Sequence, residues 1–310
     1  MIRFQPIYQM RVWGGRELET SFERKLPNQE EPFGESWEIS ARSEADSIVI
    51  SEGTWHGRTL TDLWNDSSSR SEIFGANAPQ GDRFPLLCKI LDARNRLSIQ
   101  VHPPAKIAAE MGGEPKSETW FIAKADPGAE IYVGVKSGVT RSNFEAALKD
   151  GTVDDCVHRI PVSAGEHIFI PSGRLHAIGA GLVIYEIQQN SDTTYRVFDW
   201  NRVGMNGKPR DLHIEESLRC IDFEDVEPSM DSAVGTLICK CDYFRMEQHS
   251  IKNLEEFNAA ISNRFAIITV VSGAIGDCTK GDFFIAPAGS PLSEISADAK
   301  ILLTTWPAVA

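Results

Sequence analysis

Short apolar runs separated by polar turns recur along most of the chain, among them Phe84-Pro-Leu-Leu-Cys-Lys-Ile-Leu91, Thr119-Trp-Phe-Ile-Ala123, His167-Ile-Phe-Ile170 and Leu182-Val-Ile-Tyr-Glu-Ile187. Each is too short for a typical globular helix, and turns rich in Gly, Pro, Asp and Ser separate them, a combination that predicts strands. Helical spacing shows in Thr59-Leu-Thr-Asp-Leu-Trp64, Ser142-Asn-Phe-Glu-Ala-Ala-Leu-Lys149 and Asp211-Leu-His-Ile-Glu-Glu-Ser-Leu-Arg219. Many short strands with a few short helices predict a mainly β protein, a sandwich or jelly roll. Trp13 and Trp37 lie in such runs and read as core. The acidic segment Asp222-Phe-Glu-Asp-Val-Glu-Pro-Ser-Met-Asp231 reads as a linker. The expected division is therefore a domain over 1–230 and a smaller one over 231–310.

Composition narrows the class of partner. The 310 residues are 42% hydrophobic and 24% charged, with a formal net charge of −13, as in a soluble globular chain with one large or two moderate cores. That acidic balance disfavours nucleic acid and acidic membranes, which need a basic surface, and leaves a small-molecule ligand as the expectation. No apolar run approaches the roughly 20 residues of a membrane span. The start Met1-Ile-Arg-Phe-Gln-Pro lacks a signal-peptide pattern, so the expected compartment is the cytoplasm. Six scattered cysteines do not form a disulfide framework, and Cys239-Lys-Cys241 reads as reduced strand residues.

The strongest chemical signal is Gln100-Val-His102, followed by Glu118 and by His176 at the end of Gly165-Glu-His-Ile-Phe-Ile-Pro171-Ser-Gly173-Arg-Leu-His176. Residues two apart on a strand share a face, so Gln100 and His102 can reach one point. Two imidazoles, a carboxylate and an amide suit zinc or another borderline divalent cation and leave positions open for substrate. Thiolates are absent from the set, unlike a closed structural zinc site.

The pattern Gly165-x5-Pro171-x-Gly173-x2-His176 returns as Gly281-x5-Pro287-x-Gly289-x2-Leu292, without the histidine. It resembles the second motif of the cupin superfamily, which implies two cupin-type jelly-roll barrels, the first metal-bearing and the second degenerate. Longer strings extend the likeness: Val12-Trp-Gly-Gly15, Gly34-Glu-Ser-Trp-Glu-Ile-Ser40, Leu97-Ser-Ile-Gln-Val-His-Pro103, Lys116-Ser-Glu118-Thr-Trp120 and Glu186-Ile-Gln-Gln-Asn-Ser-Asp-Thr-Thr-Tyr-Arg196. Together they resemble type I mannose-6-phosphate isomerases in their compact bacterial form. The match runs from the N-terminus to about Arg219 and is looser beyond it.

The resemblance implies one divalent metal per chain, zinc, held by Gln100, His102, Glu118 and His176. It also implies reversible interconversion of mannose 6-phosphate and fructose 6-phosphate through an enediol-type proton transfer between C1 and C2. Lys116, Asp192 and Glu186, with His102 itself, are the candidates for the base, and the sequence does not choose among them. Arg196 matches the family's catalytic arginine, whose charge does not titrate. Ser98, Lys89 and Arg210, the last in preference to Lys208, are the candidates for gripping the phosphate. A buried lysine such as Lys89 needs a reason for its presence. His158, His167 and His213 receive no role. Rival readings are an isomerase of another sugar on the same scaffold and a non-catalytic, metal-dependent sugar-binding cupin. The oligomeric state is left open.

Overall fold

The computed structural model describes residues 1–261, 264–291 and 298–307. The chain is mainly β, and it forms two compact units, each discontinuous in sequence. One comprises 1–7, 36–89 and 232–310; the other comprises 8–35 and 90–231. The C-terminal segment from residue 232 onward shares its unit with the chain start and with residues 36–89. The reason is pairing: Ile2-Arg3 lies antiparallel to Phe283–Ala286, and Phe4 bridges Val49. Aromatic packing adds to it, with Trp64 against Phe74 (5.0 Å) and Phe84 (5.3 Å), and Phe265 stacked on Trp306 (4.4 Å).

In the C-terminal unit one antiparallel sheet runs in the order Ile2–Arg3, Phe283–Ala286, Ala266–Ser272, Ala299–Thr305, Arg245–Ile251, Leu237–Lys240. Its strand Phe283–Ala286 and the strand His167–Ile170 of the other unit stand 116 residues apart in sequence, as do the flanking glycines Gly165 and Gly281 (φ 94° and 88°) and Gly173 and Gly289 (φ 97° and 75°). The sequence repeat is thus a repeated turn–strand–turn, whose glycines adopt a backbone that side chains resist. Leu292, where the second copy lacks its histidine, lies outside the described residues.

The other unit holds the candidate site between two sheets. A five-stranded antiparallel sheet runs Val157–Pro161, Glu130–Val135, His176–Ile178, Ile99–Val101, Tyr195–Phe198. Opposite it, Glu118–Ala125 pairs with His167–Ile170 on one side and Leu182–Gln189 on the other. Strand alternation sorts the residues. Ile99, Val101, Ala177, Tyr195 and Val197 point outward onto Phe144 and Ala147 of the helix Arg141–Asp150. Ile131, Val133 and Ile178 point inward against Trp120, Ile122, Ile168 and Ile184. Trp13 belongs to this inner core and Trp37 to a smaller one, as expected of both. Among the described residues no helix is long and apolar enough to cross a membrane.

The three expected helices form as Leu60–Asn65, Arg141–Asp150 and Ile214–Cys220. Thr59 and Thr140 cap the first two, each accepting from the backbone N–H three residues on. The helices Ser67–Phe74 and Leu254–Ile261 were not legible in the pattern.

Candidate metal centre

Following the inner rows toward one end of the sheets, apolar residues give way to chemistry. Ile122 and Trp120 are followed by Glu118, Ile184 by Glu186, and Ile178 by His176, each two residues along its strand. Register completes the set, since Gln100 pairs with His176 on one side and Arg196 on the other. Directly opposed residues share a face. The turn Pro171-Ser-Gly173 is tied down by the Gly173 N–H, which donates to the His102 carbonyl (2.9 Å), so the two histidines arrive together.

His102, Glu118 and His176 are buried, and their ligand atoms all lie within 4.8 Å of one another. Glu118 Oε2 is 3.7 Å from His102 Nε2, and Glu118 Oε1 is 3.7 Å from His176 Nε2. Both rings are held from behind: His102 Nδ1 donates to the Thr193 carbonyl and His176 Nδ1 to the Arg174 carbonyl, each at 2.8 Å. Those bonds fix the tautomer that turns each Nε2 lone pair toward the carboxylate. Burial pushes the His176 pKa down to about 3, so its ring is neutral as a ligand requires. Gln100 places Nε2 3.3 Å from His176 Nε2, while Ser98 Oγ donates to its Oε1 at 3.3 Å. Rotating that amide by half a turn aims Oε1 at the group and leaves Nε2 to donate to Ser98. Two imidazoles, a carboxylate and an amide oxygen suit a divalent cation, and Gln100, His102, Glu118 and His176 are gathered here.

Lys116 enters the same group. Its buried Nζ donates to Glu118 Oε2 and lies 3.2 Å from His102 Nε2 and 3.9 Å from Glu186 Oε1. Burial opposes its charge, but Glu118 and then Glu186 outweigh that cost and raise its pKa above the ordinary value. The His102 and Glu118 lone pairs that a cation would engage are thus met by the Lys116 ammonium. Trp120 Nε1, which the sequence reading missed as a site residue, donates to Glu118 Oε1 (2.9 Å) and Glu186 Oε2 (3.1 Å). Its position two residues after Glu118 was the available signal. Asp192 is exposed in the loop that supplies Thr193, and its charge favours the Lys116 ammonium.

Arg196 shares the face of Gln100, yet its guanidinium reaches outward, donating from Nη1 to the Asp211 carbonyl (2.7 Å). Burial, then the neighbouring Arg210, lowers its pKa. Arg210 is held by Asp199, with Nε to Oδ2 at 2.7 Å. Lys89 lies on Leu86–Ala93 in the unit that includes the C-terminal segment; it is buried, with Nζ 4.9 Å from the Trp37 ring centroid. A cation–π contact is a physical reason for a lysine there.

The fold and this centre define a β-barrel protein of the cupin kind, with a His/Glu/His group inside the barrel. The model of the family phosphomannose isomerase type I, catalytic domain, matches residues 1–116. The mannose-6-phosphate isomerase ManA of Bacillus subtilis is 33% identical, with 92% of this chain and 92% of that protein covered. A crystal structure of the Bacillus subtilis mannose 6-phosphate isomerase superposes with a TM-score of 0.82 at 30% identity, covering 98% of each chain. A mannose 6-phosphate isomerase solved with zinc and yttrium bound superposes with a TM-score of 0.69 at 16% identity, covering 99% of each chain. The chain belongs to the type I phosphomannose isomerase family. The likeness extends past Arg219, where the motifs alone had become loose.

Proposed function

We propose that the chain interconverts mannose 6-phosphate and fructose 6-phosphate at the centre formed by Gln100, His102, Glu118 and His176. The observation that carries this reading is the convergence of two histidines, each locked by a backbone carbonyl, with Glu118. A divalent cation held there, zinc by its fit to this donor set and by its presence in the neighbour solved with zinc, would stabilise negative charge on a substrate oxygen.

The chain's own residues supply the rest. Moving a proton between adjacent carbons needs a group that takes it and returns it. Lys116 and Glu186 are the buried pair beside the ligands; Asp192 stands on the exposed loop next to them. Glu118 and Glu186 hold Lys116 as an ammonium here; a cation bound to Glu118 would offset that charge and favour the neutral amine, so we assign the proton transfer to Lys116 with Glu186, and to Asp192 an electrostatic part. Arg196 holds charge on the substrate side of Gln100 without titrating. Ser98 orients the Gln100 amide, and Arg210 belongs to the phosphate grip, which fixes the sugar against the centre.

The test is fructose 6-phosphate formation from mannose 6-phosphate by the purified protein, before and after chelation and with zinc restored. Chelator-sensitive, zinc-restored turnover is the expected result. Absence of turnover by zinc-loaded protein would refute the substrate assignment.

A further inference from the structure

The unit that includes the C-terminal segment carries a cavity of its own, of about 390 Å³, and every residue lining it belongs to that unit. A volume of this order is typical of small-molecule sites. Part of its wall is aromatic. Phe74 ends the helix Ser67–Phe74, Phe265 immediately precedes the strand Ala266–Ser272, and Trp306 immediately follows the strand Ala299–Thr305. Phe265 stacks on Trp306 at 4.4 Å, Phe74 lies 5.5 Å from Phe265, and Trp306 Nε1 donates to the Phe74 carbonyl at 3.2 Å. With its N–H already satisfied, the indole serves the cavity as an apolar wall.

Two guanidiniums complete the wall. Arg245 stands in register with Thr305, the residue before Trp306, and Arg264 is the residue before Phe265, so the rings and the cations arrive on the same strand ends. Both arginines are held by the buried Glu247. Arg245 donates to its Oε1 from Nε (2.9 Å) and Nη2 (2.6 Å), and Arg264 donates from Nη2 to its Oε2 (2.9 Å). Burial opposes the Glu247 charge, but hydrogen bonds from Arg245 and His249 and the charge of Arg264 outweigh it and lower its pKa. Glu247 is not itself part of the cavity wall, and among the described residues that wall contains no carboxylate. One carboxylate therefore balances one of two guanidiniums, which leaves a net positive charge beside the rings. Among the described residues the buried Arg264 Nε has no hydrogen-bond partner, and a buried donor is costly to leave unmet.

We infer that this cavity is a binding site for a small aromatic carboxylate, its ring against Phe265 and Trp306 and its carboxylate on Arg264 and Arg245. The charge count selects a monoanion, and a planar guanidinium matches a planar carboxylate. Neither half of such a ligand suffices: a bare anion leaves the aromatic wall in water, and a neutral ring leaves the guanidiniums unmet. Glu247 fixes both arginines before the ligand arrives, so less side-chain freedom is lost on binding. The site uses none of the residues assigned to the isomerase reaction and stands whether or not that reading holds.

The experiment is calorimetric titration of the full chain with 2-naphthoate, with 2-naphthamide as the same ring without the charge, and with acetate as the same charge without the ring. Wild type is expected to bind one 2-naphthoate per chain with a Kd of about 1 mM or below, as a ligand of this size can reach. The amide and acetate should each bind at least about tenfold more weakly. Arg264→Gln and Arg245→Gln should each weaken 2-naphthoate by about tenfold, as loss of a charged hydrogen bond does, and Arg264→Lys should lose less. No 2-naphthoate binding to wild type at about ten times that concentration overturns the site. Equal binding of 2-naphthamide overturns the anion assignment, and binding unchanged in both glutamine variants places the ligand elsewhere and overturns it too. Should either variant fail to fold, the three ligands on wild type still decide between a site that needs ring and charge together and none.

Discussion

Arg196 stands in register opposite Gln100 on the neighbouring antiparallel strand, so the arginine and the amide nearest the candidate metal centre share one face. Their side chains have different partners: that of Gln100 turns to Ser98 and His176, that of Arg196 to the Asp211 carbonyl. Binding of the cation and stabilisation of substrate charge are therefore separable. Arg196→Ala should keep its zinc, measured by elemental analysis, while kcat falls by about a hundredfold or more, as expected when a fixed charge at the reacting group is removed.

His176→Ala should lose zinc and turnover together. The ring is neutral and its tautomer is fixed by the Arg174 carbonyl, so no neighbouring side chain in the group can take over its Nε2. Stoichiometric zinc in this variant after dialysis would rule out the ligand assignment.

Lys116 is the cation that keeps Glu118 and Glu186 tolerable in the interior. Lys116→Met leaves both carboxylates buried without it, a change of about 3–5 kcal/mol for a broken buried pair. Zinc can compensate Glu118 in its place. Denaturant titration should accordingly show a larger destabilisation in chelated protein than in zinc-loaded protein, and equal losses in both states would count against a shared site. Turnover should fall in either case.

Asp92 supplies a pH dependence outside the centre. Burial raises its pKa from 3.8 to about 6, although the Glu17 N–H donates to its Oδ2 at 2.6 Å. Between about pH 4 and about pH 6 the folded chain therefore binds more protons than the unfolded chain, and this residue's contribution to stability falls as pH rises through that window. The loss is about 3 kcal/mol from a shift of this size. Asp92→Asn, compared with wild type by urea unfolding at several pH values, should remove that component of the slope.

Gly14 in the Val12-Trp-Gly-Gly15 string has a steric reason. A Cβ there would meet Gly34 N and Phe33 C, each at 2.4 Å, and both are backbone atoms that cannot swing aside. Gly14→Ala should cost about 3 kcal/mol, at the upper end for overpacking, read as a lowered melting temperature without a change in zinc content.

Much of this protein was written in its residue order. Alternation and turn residues showed the strands, because a strand's two faces impose a period of two on polarity whatever the partner strand is. The spacing of Gln100 with His102, of Lys116 with Glu118, and the repeated Gly-Pro-Gly turn are local facts, and each survived into the structure as a shared face or a matching turn. Tertiary structure alone decided the rest. Gly173 ties its turn to the carbonyl of His102, the carbonyls of Thr193 and Arg174 choose the histidine tautomers, and Asp199 draws Arg202 to Arg210. It also joins Ile2-Arg3 to a strand near the far end of the chain. Backbone carbonyls carry no sequence signature, and pairing between distant strands depends on how the whole chain closes; periodicity reports which way a side chain points, and only the closed fold determines what it meets there.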